Sequence, residues 1–159
     1  MLRASPGSSI ILRYQENGHV TLPQSPPGKP TSGKTYIYAT ASPSPADAIL
    51  SIHKVWSKDG AGGDQRGRLL GTFDFDDGRC YQVNNGPISK HRQGKYGHRP
   101  DPLQGSDLWC SNIVQLPSDI CGVERLTLYW VWDWPSYPGQ DRERQQIYTT
   151  CIDIRLEEH

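Results

Sequence analysis

The sequence has 159 residues, and any chemistry in it must come from scattered side chains. It contains no GxSxG, HExxH, Walker or GxGxxG pattern, and no nucleophile–base pair can be read from spacing. Three local features remain. The first is Glu16-Asn17-Gly18-His19. A histidine displayed on a glycine turn can ligate a metal through one ring nitrogen. The same residue also reads as a loop histidine that hydrogen-bonds a neighbouring strand. The second is Ile147-Tyr148-Thr149-Thr150-Cys151, where strand alternation sends Tyr148 to one face and Cys151 to the other. A core tyrosine and a structural half-cystine would serve equally well there. The third is the run Leu126 to Trp134, with Trp130, Trp132 and Trp134 on one face. Exposed aromatics stack on sugar rings, but a ladder of alternate tryptophans on one strand reads first as core. Trp109, Tyr81 and Tyr96 lie in less regular context and are the candidates for exposed, carbohydrate-facing aromatics.

The elements that must position these residues read as strands. Ser9–Tyr14, Lys34–Thr40, Ile49–Ser57, Arg68–Phe75, Arg79–Val83, Leu108–Leu116, Leu126–Trp134 and Gln146–Leu156 carry β-branched, aromatic or alternating residues. Asp76-Asp77-Gly78 reads as a hairpin turn between the fourth and fifth. Leu22–Ser32, with four prolines, and Pro135–Arg144 read as loops. Asn84–Ser106 is a long polar stretch bearing His91 and His98, too long for a plain connection. No segment reads clearly as a helix. The expected fold is all-β, an antiparallel, immunoglobulin-like β-sandwich with long loops, spanning 1–159 as one domain.

Composition narrows the class of function. Thirteen prolines and 16 glycines require many turns, and eight tyrosines and five tryptophans against two phenylalanines give aromatics with polar tips. Seventeen basic and 17 acidic side chains leave no net charge. That argues against a nucleic-acid backbone partner and against docking on an anionic membrane. No apolar run approaches a spanning helix, and the first residues lack the apolar core of a signal peptide. Cys80, Cys110, Cys121 and Cys151 form no CxxC pair. Their even number favours disulfides and a secreted setting, with three possible pairings.

Longer stretches resemble an uncharacterised fungal secreted family, a domain of unknown function. They are Pro6–Ile10, Leu12–Thr21, Phe75–Gln82, Thr127–Pro135 and Tyr148–Cys151. More distantly, the layout resembles fungal lytic polysaccharide monooxygenases. Those are immunoglobulin-like sandwiches that hold one copper in a histidine brace formed by an N-terminal His and a second His. The resemblance implies that His19 matches the second His and Tyr148 the axial tyrosine of a Tyr-x-x-Cys setting. It implies copper as cofactor, cell-wall polysaccharide as partner and a secreted parent protein. Met1 cannot supply the amine and imidazole of an N-terminal His, so the resemblance implies a C-terminal part of a longer chain with an incomplete copper site. Cys151 would then lack its usual N-terminal partner. Cys80–Cys110 becomes the preferred disulfide, with Cys121–Cys151 by default. A non-catalytic carbohydrate-binding module and a structural secreted domain are the alternative readings.

Overall fold

The computed structural model describes residues 1–22, 31–120, 122–135 and 146–157. Most of the Leu22–Ser32 and Pro135–Arg144 loops, and Cys121, therefore lie outside the described residues. The strands are β1 (Leu2–Ala4), β2 (Ser9–Tyr14), β3 (Lys34–Thr40), β4 (Gly67–Asp74), β5 (Cys110–Gln115), β6 (Arg125–Trp134) and β7 (Gln146–Leu156). Two helices, α1 (Ile49–Ile52) and α2 (Pro87–Lys95), interrupt them. A five-stranded sheet runs in the order β1-β7-β6-β3-β4, and a two-stranded sheet pairs β2 with β5. The fold is mostly β and sandwich-like, as the alternation of the sequence predicts. The large sheet is mixed rather than purely antiparallel, because β1 joins β7 in parallel. Three residues without a strong pattern gave β1 no signal in the sequence.

β6 is the spine of the molecule. Leu126, Leu128, Trp130, Trp132 and Trp134 face one side, and Thr127, Tyr129, Val131 and Asp133 the other. Both sides are largely buried. On the first side, Leu126 and Leu128 pack with Ile37, Ala39 and Ile154 of the same sheet and with Leu12 and Val114 of the small sheet. On the second, Tyr38, Tyr129 and Val131 pack against Ile52 and Trp56.

That second layer corrects the expected strand over Ile49–Ser57. The segment forms one helical turn and then a bend at Lys54, whose φ is 62°. Ile49, Ile52, His53 and Trp56 turn inward while Leu50 and Val55 stay exposed. Inward positions three, four and seven apart follow a helix, and this period competes with the period of two in the same residues. Gly67 completes the seat of Trp56: a Cβ there would lie 2.1 Å from the indole.

The expected strand Arg79–Val83 is also absent as a strand. The Asp77 carboxylate accepts the backbone N–H groups of Arg79 and Cys80, each at 2.8 Å, so the chain after the turn is tied into a loop. Only Tyr81 bridges, and its partner is Leu108 rather than β4. In the polar stretch beyond it, Pro87 at the first turn opens α2. Arg92 on that helix meets the Asp76 carboxylate with both terminal nitrogens at 2.7 and 2.8 Å. The Cys80–Cys110 disulfide fastens this loop to the start of β5.

Candidate functional site

His19 is held by backbone geometry. Asn17 and Gly18 both have positive φ, 48° and 78°, which turns the chain sharply after β2. Glu16 fixes that turn. Its carboxylate is buried and accepts the N–H of Val20 at 2.8 Å, the N–H of Thr21 at 3.2 Å and the Thr21 hydroxyl. It also accepts the N–H of Gln82 at 3.0 Å, which binds the His19 turn to the disulfide loop. In Glu16-Asn17-Gly18-His19 the acidic residue is thus a clamp, and the histidine is what the clamp presents.

The presented ring meets the tryptophan ladder. The His19 ring is edge-on to Trp134 at 4.3 Å between centroids, and tilted against Trp132 at 5.0 Å. Tyr148 is the β7 residue directly opposite Trp132. It stacks on that indole at 5.0 Å and 27° and is 47% exposed. Phe75 stacks on Trp132 at 4.1 Å. The indole N–H groups of Trp132 and Trp134 donate to the carbonyls of Ser32 and Thr31 at 2.7 and 3.3 Å. The ladder is therefore core along most of its length, as its alternation predicts. At its end, His19 and Tyr148 sit against one indole.

Other candidates separate. Tyr81 is buried, because its bridge to Leu108 draws it inward, so it is not an exposed aromatic. Trp109 is half-buried and shares a cavity of about 70 Å³ with Tyr81, Gln82 and Glu16. Tyr96 caps the end of α2 with Arg79 and Lys95 over its ring at 5.3 and 5.0 Å. His91 is exposed on α2, and His98 lies 3.6 Å from Asp101. Cys80 and Cys110 are joined, whereas Cys151 is a free, exposed thiol on β7 rather than a half-cystine. Burial and the nearby Asp153 and Asp47 carboxylates push that thiol above its usual pKa, so it stays protonated and weakly nucleophilic at neutral pH.

The donor sets limit metal chemistry. Among the described residues, Asp77, Cys80 and Cys110 are close enough to share an ion. The two sulfurs are bonded to each other, and Asp77 is occupied by backbone N–H groups, including that of Ser111 at 2.9 Å. This group is structural. At the aromatic end, His19 offers one imidazole and Tyr148 one phenol.

A second polar cluster, not foreseen from the sequence, lies on the opposite face of β6. His53 is almost fully buried, with Nδ1 3.2 Å from the Tyr38 hydroxyl and Nε2 3.1 Å from Asp133 Oδ2. An ionised Asp133 can only accept, so Nε2 carries the proton and Nδ1 accepts from Tyr38. The Tyr38 oxygen accepts the Lys54 N–H at 2.9 Å, and Lys54 Nζ reaches Asp133 at 2.5 Å. Burial lowers the His53 pKa, against the raising effect of Asp133. Burial pushes Asp133 up, but hydrogen bonds from Lys54 and His53 outweigh it and hold the carboxyl below its ordinary range. The Tyr38 hydroxyl, raised by burial, is sealed from solvent. The cluster fastens the α1 turn to the sheet. The sequence signal is Asp133, an acid between two tryptophans near the end of an apolar strand.

The fold and these two clusters define an all-β, sandwich-like domain with one aromatic, histidine-bearing end. A family model described as a domain of unknown function (DUF7492) matches residues 1–159, and the chain belongs to that family. No curated protein and no solved structure matches it. No helix among the described residues is long and apolar enough to cross a membrane.

Proposed function

We propose that this chain is a secreted, copper monooxygenase-like domain that acts at cell-wall polysaccharide, in which His19 would supply one nitrogen donor and the Tyr148 ring would border the metal. The observation that supports the reading is that His19 and Tyr148 both pack against the Trp132 indole. The two come from a turn and from the last strand, and the resemblance to polysaccharide monooxygenases requires them at one site. Copper, when bound, supplies activation of oxygen or peroxide. One imidazole does not hold copper in both oxidation states, because a brace needs three nitrogens in a T-shape. The chain's own residues therefore carry no step at the metal. Glu16 fixes the turn, Trp132 and Trp134 pack against the His19 ring, and Tyr148 is part-exposed beside them.

Calorimetric titration with Cu(II) tests this reading on the wild type and on His19→Ala. A binding event lost in the variant supports it. Equal heats in both proteins overturn it.

One observation favours a second reading, a non-catalytic carbohydrate-binding surface. Tyr148 is half exposed and backed by Trp132, which suits stacking on a pyranose face. Retention on cellulose, chitin or glucan that survives His19→Ala but not Tyr148→Ala would select this reading over the first.

A further inference from the structure

The chain is neutral as a whole, but its charges are unevenly spread. Between Arg79 and Pro100 the sequence holds five cations, two histidines and no acid. Elsewhere cations are answered across the fold: Lys34 by Asp74 at 2.8 Å, Arg68 by Asp119 at 2.9 Å and Arg125 by Asp153 at 3.0 Å. Among the cations of this stretch only Arg92 is answered, by Asp76. Arg79, Lys90, Lys95 and Arg99 are exposed, and none lies within ion-pair distance of a carboxylate among the described residues. The neighbouring acids are committed to backbone. Asp77 accepts the N–H groups of Arg79, Cys80 and Ser111, Asp101 those of Leu103 and Gln104, and Asp107 that of Val83.

α2 gathers these cations on one surface. Ser89 is its buried residue, so Lys90, His91, Gly94 and Lys95, all exposed, make the outward face. His91 and Lys95 stand one turn apart on that face. Lys95 then meets Arg79 at the Tyr96 ring, which the two cations approach at 5.0 and 5.3 Å. The surface therefore runs from the helix to the start of the disulfide loop. The helix does not explain the charge. Lys90 closes its first turn, the end at which a helix favours acids, and that turn has none.

We propose that this face binds an acidic polysaccharide, one that carries carboxylate groups along its chain. The inference rests on the cell-wall polysaccharide partner proposed above and adds the charge of that partner. Complementarity asks for an anion, and the density of charge selects its kind. Double-stranded DNA carries one charge per about 1.7 Å of axis and needs a broad basic field. Here a few unanswered cations stand beside Asp77 and Asp101 on a neutral chain, which suits sparse charge. An anionic membrane is entered by apolar side chains beside the cations, and the outward face of α2 carries none. Exposed Gln82 and Asn85, in the loop that leads into α2, offer neutral donors to sugar hydroxyls. Asn84 Nδ2 donates to the Thr21 hydroxyl at 2.9 Å, and the Gln82 N–H to Glu16 at 3.0 Å. The proposed surface is thus anchored to the turn that carries His19.

Affinity electrophoresis in EDTA tests this, with polygalacturonate as the probe and dextran as its neutral counterpart. EDTA keeps the readout independent of any metal at His19. The wild type is expected to be retarded by polygalacturonate and not by dextran, and less so as salt rises. Lys90→Gln/Lys95→Gln is expected to weaken binding about tenfold at low salt, with an unchanged melting temperature. Lys58→Gln/Arg155→Gln removes the same charge from exposed positions elsewhere and is expected to bind as the wild type does. Polygalacturonate binding that survives Lys90→Gln/Lys95→Gln overturns the surface. Equal retardation by both glycans overturns the assigned charge while the polysaccharide partner stands. No retardation by either overturns the inference and leaves the copper titration to decide the metal. Equally strong, lysine-dependent binding to single-stranded DNA or to vesicles of phosphatidylcholine and phosphatidylserine overturns the glycan as occupant.

Discussion

His19 and His53 sit at the same end of β6, on opposite faces, and they are mounted in opposite ways. His53 is fastened by its own ring: both nitrogens are committed, to Tyr38 and Asp133, and the imidazole is sealed. His19 is fastened through its backbone. The Glu16 clamp sets the turn, and the ring rests against Trp132 and Trp134. A histidine whose hydrogen bonds close a core cluster is a structural part. The half-buried His19 ring packs instead on the indoles at the end of the tryptophan ladder, beside the part-exposed Tyr148.

This contrast can be broken first at the clamp. Glu16→Ala strands the N–H groups of Val20, Thr21 and Gln82 and the Thr21 hydroxyl, and should cost about 2–4 kcal/mol. Urea unfolding measures it. A cost within error of zero would mean that the turn holds itself. Next, His53→Ala should cost about 2–3 kcal/mol, because it leaves the buried Tyr38 O–H without its acceptor and takes one of two donors from Asp133, whereas His19→Ala should cost about 1 kcal/mol or less. Equal losses for the two variants would erase the distinction between the mounts.

The smallest effect is on pH dependence. The folded His53 has a pKa below its unfolded value of 6.5, so the unfolded chain binds the proton more readily. Stability is then fully present above pH 6.5 and falls as pH drops from there through the folded pKa. Protonated Nδ1 would donate to the Tyr38 oxygen, which already accepts the Lys54 N–H, and the buried Tyr38 O–H would lose its acceptor. Lys54 and Asp133 are the charged groups facing the ring, and Tyr36 packs on it edge-on at 4.6 Å. His53→Gln should flatten this part of the stability–pH curve. A slope unchanged in that variant would assign it to other groups.

Much of the fold was legible because alternation is a strong local signal. β2, β3 and β7 match the expected strands residue for residue, and the expected Leu126–Trp134 run falls one residue inside β6. Ile49–Ser57 differs from the expected strand because its four inward residues satisfy a helical period that a shorter alternation mimics. Arg79–Val83 was misread because Asp77 competes for the backbone N–H groups a hairpin would have used. At the candidate site, His19 and Tyr148 were visible as residue types, but the clamp role of Glu16 depends on contacts with Gln82 across the fold. The His53 cluster joins three separate elements, and local sequence carries no record of that meeting.

The most direct test of the two mounts is a nuclear magnetic resonance titration with substoichiometric Cu(II). The account predicts early broadening of His19, Tyr148 and the Trp132 and Trp134 indole N–H signals, while His53 and the Lys54 amide persist. Broadening confined to the exposed His91 and the chain terminus, with the His19 end unchanged, would contradict it.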